Sequence, residues 1–393
     1  MHIDDLLREV VAAQASDLHL TSGIKPTMRI WGKLTPMEQY EVLSPEDTFQ
    51  LGYSMLNTFQ KQKFEKFWEL DLSYGVPGLG RFRVNIYRQR GAVGIATRVV
   101  PMTIPSIEAL NLPPGLKDLT RKPRGLVLVT GPTGHGKSTT LASMIDFINN
   151  ERSAHIVTVE DPIEYLHQHK KSIVNQRELG FDTQSFPNAL RAVLREDPNV
   201  VLIGEMRDLE TISAALTIAE TGHLVFATLH TANAAQSIDR IIDVFPPYQQ
   251  QQIRIQLAMV LECVLSQQLL TNARFRGTRE SKPQVQRSRL GGTSGNWPAL
   301  EEVGRVPAVE IMFSTPAIQN LIREAKTHQI ETSIQTGGQY GMQTMDQSLR
   351  DLALQKMVSL DDALSRAIHP EELRKMIREA GGEAEPIGRA ARR

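Results

Sequence analysis

The residues Gly131-Pro132-Thr133-Gly134-His135-Gly136-Lys137-Ser138, followed by Thr139, fit the pattern G-x-x-x-x-G-K-[ST]. Glycines at such spacing let backbone amides turn inward onto phosphate oxygens. A helix starting at the lysine adds the positive end of its dipole. Lys137 is then placed to reach β- and γ-phosphates, and the Ser138 hydroxyl to ligate magnesium. A chance match in a loop is the alternative. The apolar run Leu126-Val127-Leu128-Val129 before the pattern and the helical pattern after it supply the strand and helix that phosphate binding requires. His135 fills a free position of the loop and is assigned no chemistry of its own. ATP and Mg2+ are the expected ligands.

Three further blocks follow along the chain. Val200-Val201-Leu202-Ile203-Gly204-Glu205 is an apolar strand ending in an acid, about 70 residues after the loop. A carboxylate there can hold the magnesium shell or orient water. His155-Ile156-Val157-Thr158-Val159 delivers Glu160, Asp161 and, past Pro162 and Ile163, Glu164 to one loop. Hydrolysis needs a group to position water, and carboxylates at a strand end suit that task. Glu164 and Glu205 are the two candidates, and the sequence does not divide the work between them. Asp161 has an equal claim as a helix cap before Pro162. The last block, Thr221-Gly222-His223 through His230-Thr231, ends an apolar strand on the edge where open α/β sheets bind ligands. His230 is placed to sense a γ-phosphate, although a lone histidine at a strand end is more often structural. Positive charge for the transferring phosphoryl group could come from Arg81, Arg83, Arg88 or Arg98 in the first hundred residues. Arg191 and Arg195, at i,i+4, are equally explained by salt bridging.

These blocks need an α/β sheet to carry them, and the chain supplies the pattern. Near-continuous apolar runs at 125–130, 155–159, 200–203, 224–228 and 306–312 read as strands covered on both faces. Helical patterns at about 137–150, 186–196, 208–220, 232–243 and 247–266 alternate with them, which indicates a parallel sheet. Residues 1–100 read instead as a small α+β domain. It opens with a helix bearing Ile3, Leu6, Leu7, Val10 and Val11. Strands follow near 17–20 and 27–30, then a helical region over 45–67. A hairpin-like pair covers 81–87 and 94–100. Pro101, Pro105, Pro113 and Pro114 mark 101–116 as a linker. The core then runs 117–312. It is interrupted at 272–304 by an expected flexible insertion whose stretch 274–289 has six basic residues and one acidic. A helical region covers 313–380, and 381–393 reads as a disordered tail.

Composition narrows the function classes. Of 393 residues, 41% are apolar, enough for large cores in two or three domains. Lys and Arg total 44, as do Asp and Glu, so no net charge draws the chain to nucleic acid or anionic lipid. The single cysteine, Cys263, falls in the 247–266 helical pattern and reads as a buried thiol. No CxxC zinc pair exists. The amino terminus lacks a signal pattern and no run of 18 apolar residues occurs. A cytoplasmic protein is expected, reaching a membrane only through a partner.

The four blocks, in this order, resemble the secretion ATPase superfamily that drives type II secretion and type IV pili (the GspE/PilT family). The most specific pieces are Gly204-Glu205-Met206-Arg207-Asp208-Leu209-Glu210-Thr211, the run 219–226, Val174-Asn175-Gln176-Arg177 and Gly341-Met342-Gln343-Thr344. The resemblance extends from the segment 16–20 to about Leu373. It implies that Glu164, Glu205, His223 and His230 are functional. It also implies a PAS-like first domain joined to a RecA-like P-loop ATPase core, assembled as a homo-hexamer. In such rings, arginines of one subunit's first domain, here Arg81, Arg83 and Arg98, reach nucleotide. Within the family the chain resembles the pilus-retraction branch. Extension and secretion ATPases of the PilB and GspE kind carry longer N-terminal regions and usually a four-cysteine zinc site. The branch motif Ala-Ile-Arg-Asn-Leu-Ile-Arg-Glu reads here Ala317-Ile318-Gln319-Asn320-Leu321-Ile322-Arg323-Glu324, seven matches of eight. Ile318, Leu321, Ile322 and Ala325 are expected on one stripe, so core packing also accounts for the motif. The resemblance further implies an inner-membrane platform partner (PilC-like), a PilU-like paralogue, and a location at the inner membrane through the pilus machine. The alternatives are a PilU-like accessory, a PilB/GspE-like motor and, in another class, a RecA-like nucleic-acid translocase.

Overall fold

The computed structural model describes residues 1–30, 32–101, 103–275 and 304–381. They form two compact units: Met1–Met102 with Pro162–Leu166, and Thr103–Asp161 with His167–Arg393.

The first unit is a six-stranded antiparallel sheet packed against helices. Helix α1 (Ile3–Ala12) buries Ile3, Leu6, Leu7 and Val10. Strands β1 (Asp17–Leu20), β2 (Thr27–Ile30), β3 (Lys33–Pro36), β4 (Glu69–Val76), β5 (Gly80–Gln89) and β6 (Ala92–Val100) pair in the order β3-β2-β1-β6-β5-β4. The 45–67 region is two helices, α2 (Pro45–Ser54) and α3 (Thr58–Phe67). Asn57 divides them because its side chain accepts from the Gln60 amide while Gln60 returns a bond to the Asn57 backbone, a capping box that starts a new helix. Phe82, Val84 and Ile86 of β5 enter the core. By the period-two alternation, Arg81, Arg83 and Asn85 lie on the opposite sheet face.

The second unit is built on a seven-stranded sheet ordered β13-β12-β7-β11-β10-β8-β9. The strands are β7 (Gly125–Thr130), β8 (His155–Glu160), β9 (Ile173–Glu178), β10 (Val200–Ile203), β11 (Leu224–Leu229), β12 (Leu261–Thr271) and β13 (Arg305–Phe313). All neighbours pair in parallel except β12 with β13. Alternate residues serve two cores. Leu126, Leu128, Val201, Ile203, Val225 and Ala227 face one, and Val127, Val129, Val200, Leu202, Leu224 and Phe226 face the other. This double burial is why these strands are continuously apolar. Helices α4 (Leu116–Thr120), α5 (Lys137–Glu151), α6 (Phe186–Val193), α7 (Leu209–Glu220), α8 (Ala234–Asp243) and α9 (Pro247–Val260) alternate with the strands. Ile107 and Leu112, ahead of α4, are buried in the core of this unit. After β13 come α10 (Pro316–Arg323), α11 (Ile330–Thr336), α12 (Met345–Leu354), α13 (Leu360–Arg366) and α14 (Pro370–Glu379).

Several local expectations are corrected. The helix expected over 247–266 stops at Val260, and β12 follows without a turn. Cys263 is therefore in a strand, paired with Val127 of β7 and Phe313 of β13, and it is buried. An apolar run buried on both faces has no period to distinguish strand from helix. Helix α6 ends at Val193, so Arg195 is not on a helix face with Arg191. Ala325 is not on the stripe of α10: it follows the helix end at positive φ and is exposed, while Ile318 and Ile322 are buried. Residues 276–303 of the expected insertion and 382–393 of the expected tail lie outside the described residues.

Candidate nucleotide site

The parallel pairing of β7, β8, β10 and β11 brings their carboxyl ends to one sheet edge. The expected phosphate loop, Asp161, Glu205 and His230 all follow those ends. Gly131, Gly134 and Gly136 have φ of 134°, 79° and 84°, a region that disfavours any side chain. They turn the loop back so that α5 starts at Lys137. Lys137 is buried, and its Nζ donates to Gly131 O at 2.7 Å and Pro132 O at 3.1 Å. Burial lowers the Lys137 pKa, with the Glu205 charge opposing the shift. Ser138 is exposed at the mouth of the loop, beside Thr139.

His230 joins the loop to the acid. Its Nδ1 lies 3.5 Å from Lys137 Nζ and 3.3 Å from Thr133 Oγ1, and its Nε2 lies 3.1 Å from Glu205 Oε1. With the lysine as donor, Nδ1 accepts and Nε2–H donates to the carboxylate. Glu205 Oε1 also accepts from Arg207 Nε at 2.7 Å. Burial raises the Glu205 pKa, but the Arg207 bond and His230 outweigh it, so the group lies below its ordinary value. The strand ends are fixed to each other. Thr228 Oγ1 donates to Gly204 O, and Met206 N donates to Thr228 O. Gly204 packs closely where β10 passes β8: a Cβ there would lie 3.2 Å from the Glu160 Cα and the Val159 carbonyl oxygen. Glu160 is engaged by Thr158 Oγ1 at 2.6 Å and Gln176 Nε2 at 3.2 Å.

Lys137, Glu205 and His230 are thus brought together with the loop that carries Ser138 and Thr139. His223 precedes β11 on the opposite sheet edge, where its carbonyl accepts from Gly125 N and its Nδ1 bonds Ile218 O at 2.9 Å. A six-residue strand separates it from His230, about 20 Å. Glu164 falls in Pro162–Leu166, which groups with the first unit. Arg81, Arg83 and Arg98 also belong to that unit, on one face of its sheet. Arg98 pairs across β5–β6 with Arg83 and across β1–β6 with Asp17, which in turn pairs with Arg29. Asp17 accepts from Arg98 Nε at 2.8 Å, offsetting one charge of this row. Arg88 stacks over the Trp68 ring at 5.7 Å. Arg191 lies 4.0 Å from Glu210. Arg207 was not singled out from the sequence, although it stands two residues from Glu205 in the most specific block.

The donor set bears on magnesium. Among the described residues no cluster of three His, Cys, Asp or Glu could cage a metal. The available groups are the Ser138 hydroxyl and the Glu205 carboxylate. That set fits a magnesium ion held mainly by nucleotide phosphates and water rather than by protein.

The type II/IV secretion system protein family model matches residues 108–365. The chain belongs to this family of secretion ATPases. The matched stretch carries the phosphate loop, Glu205 and His230. Similarity also extends through the first unit. The chain is 46% identical to the type IV pilus retraction ATPase PilT of Pseudomonas aeruginosa, over 94% of this chain and 99% of that one. It is 38% identical to the type IV pilus ATPase PilU of the same organism, over 96% of this chain and 92% of PilU. The crystal structure of the pilus retraction motor PilT with bound ADP superposes with a TM-score of 0.83 at 46% identity, covering 95% of this chain and 99% of that one. The expected α/β class with a RecA-like core is the observed one. Among the described residues no helix of this secretion ATPase is long and apolar enough to cross a membrane.

Proposed function

We propose that the chain is the ATP-hydrolysing subunit of a homo-hexameric motor that retracts type IV pili. The observation that carries this reading is the Lys137–His230–Glu205 chain of contacts on a glycine loop, in a protein similar to PilT along nearly its whole length. The reaction is ATP and water to ADP and phosphate. The backbone from Gly131 through Thr139, including Pro132, Thr133, Gly134, His135 and Gly136, cradles the phosphates. Lys137 exchanges its bonds to the loop carbonyls for the β- and γ-oxygens. Ser138 and Glu205 serve the magnesium shell. Magnesium, when bound, neutralises charge developing on the phosphoryl oxygens. Glu205, bonded to Arg207 and His230, stays ionised and accepts a hydrogen bond from the attacking water. Glu164 is the second candidate for that task. His230 links the loop lysine to this carboxylate, so a change at the γ-phosphate is felt at both. Arg81, Arg83 and Arg98 act from a neighbouring subunit's first unit. The position of His223 favours a structural role in binding Ile218 over one in chemistry.

The motor sits on the cytoplasmic side of the inner membrane, against a PilC-like platform protein and alongside a PilU-like paralogue. Work requires that ATP bind one arrangement of the two units better than another, since equal affinity shifts nothing. Lys137→Ala and Glu205→Ala each abolish hydrolysis by the purified protein, and cells carrying either variant keep surface pili while twitching stops. Loss of pili in a clean deletion points to an extension motor instead, and ATP turnover stimulated by single-stranded DNA points to a translocase.

A further inference from the structure

The phosphate loop is held from outside by one residue of a strand more than a hundred positions later. Gln267 of β12 is 3% exposed and uses both ends of its amide. Its Nε2 donates to His135 O at 2.9 Å, and its Oε1 accepts from Thr140 Oγ1 at 2.7 Å. His135 lies in the loop and Thr140 in the first turn of α5, so one side chain ties the loop to the helix it feeds. Two residues on, Leu269 N donates to His135 Nδ1 at 3.0 Å. Burial, Arg366, Lys137 and Arg305 all lower the His135 pKa, which favours the neutral ring that this bond needs. Just before, Ser266 Oγ accepts from Thr130 Oγ1 at 2.9 Å, where β7 passes into the loop.

The glycines meet the same residue. A Cβ on Gly131 would overlap the Gln267 carbonyl oxygen, and a Cβ on Gly136 would lie 2.8 Å from Gln267 Nε2. Gly131 is therefore required by close packing on the backbone of Gln267 as well as by its own backbone angle, and a side chain on Gly136 would displace the Gln267 amide. A glutamine buried in an apolar strand costs free energy unless its amide is bonded at both ends, and here both bonds go to the loop and its helix.

We propose that Gln267 is a positioning residue of the nucleotide site, setting the geometry of the phosphate loop relative to the first turn of α5. This rests on the nucleotide reading above and adds a residue from outside the four sequence blocks. It also makes β12 part of the site. Leu270 of β12 and Val306 and Ala308 of its partner β13 pack in the core formed with α12, α13 and α14. The loop is thereby connected to the carboxyl-terminal helices through a single strand.

The test uses the full chain with Mg–ADP as the calorimetric probe and ATP turnover as the second readout. Gln267→Met keeps length and removes both bonds. Thr140→Val removes one bond from the other side and places nothing new near His135. The expected result for Gln267→Met is roughly tenfold weaker Mg–ADP binding, as for loss of hydrogen bonds that fix a binding loop. KM for ATP rises by a similar factor with little change in kcat, since the loop holds ground and transition states alike. Thr140→Val gives a smaller loss in the same direction, and the double variant loses less than the product of the two. Unchanged Mg–ADP affinity in the folded variants overturns the proposal, whether or not their melting temperature falls. If Gln267→Met does not fold, Thr140→Val decides by the same criterion. A wild-type chain that binds no Mg–ADP would remove the nucleotide reading itself, which is a different outcome from a variant that binds as well as the wild type.

Discussion

At the scale of single residues, the second unit uses carboxylates in two opposite ways. Glu205 lies at a sheet edge with a cation and a histidine on it, and it is held in the charged form. Glu310 of β13 is buried and accepts from the amides of Ala234 and Met345, the first residues of α8 and α12. Burial raises its pKa, and Glu331 and Asp346 add to the shift, so that it reaches about 7 despite the two amides. Between its ordinary 4.5 and about 7 the folded chain binds more protons at this site than the unfolded chain, so stability falls as pH rises through that window and levels off above it. Glu310→Gln cannot titrate there. Urea midpoints at pH 5 and pH 8 should show the wild type losing on the order of 3 kcal/mol more than this variant across the window. Identical pH profiles would show that Glu310 titrates normally.

At the scale of elements, the structure explains one block that the sequence matched only by resemblance. In Gly341-Met342-Gln343-Thr344, Gln343 exchanges backbone bonds with Ile311 of β13 and donates from Nε2 to Val309 O. Thr344 then caps α12, accepting from Gln347 N while the Gln347 side chain returns a bond to Thr344 N. The block is a seam that fixes the start of α12 on β13. Thr344→Ala should cost about 1 kcal/mol in the denaturant midpoint, and Thr344→Ser should restore most of it. Mg–ADP affinity should not move in either, because the bonds of Thr344 go to Gln347 and none of the loop contacts described above is made by it. A loss of affinity without loss of stability would contradict this reading.

What could be read in advance also divides by element. β7, β8, β10 and β11 were legible because they are covered on both faces and the phosphate loop is contiguous in sequence. β9 was not, since Asn175, Gln176, Arg177 and Glu178 give an edge strand no apolar run. Residues 261–266 of β12 read in the sequence as the end of a helix, and Gln267, the next residue, is a polar side chain in a buried strand with no motif to mark it. Arg207 and Gln267 earn their places through contacts that only folding makes. The bond from Gln267 to His135 spans 132 positions. His223 shows the reverse relation between sequence and space. It is near His230 in sequence, but a whole strand carries the two to opposite edges of the sheet.

At the scale of the molecule, the residues of the proposed chemistry divide between two units. The phosphate loop, Lys137, Glu205 and His230 belong to the second, and Arg81, Arg83 and Arg98 to the first. Binding and turnover should therefore separate by unit. Mg–ADP at a hundred times its Kd adds about 2.7 kcal/mol to whatever folds around it. Because the loop contacts are complete within the second unit, that stabilisation should appear in the calorimetric transition that Lys137→Ala fails to shift with nucleotide. Arg83→Ala should leave the shift in place. Its directly opposite neighbour is Arg98, whose charge Asp17 already offsets, so removing Arg83 relieves a like-charge pair and costs the first unit little stability. Turnover should nevertheless fall on the order of 10^3-fold, the range for an arginine that stabilises charge on a phosphoryl group in transfer. Full turnover in Arg83→Ala would leave the arginine row without a part in the chemistry. A lost Mg–ADP shift would place it in ground-state binding. The expected pattern, binding kept and hydrolysis lost, is the one required of a motor in which the first unit contributes to the chemical step rather than to capturing nucleotide.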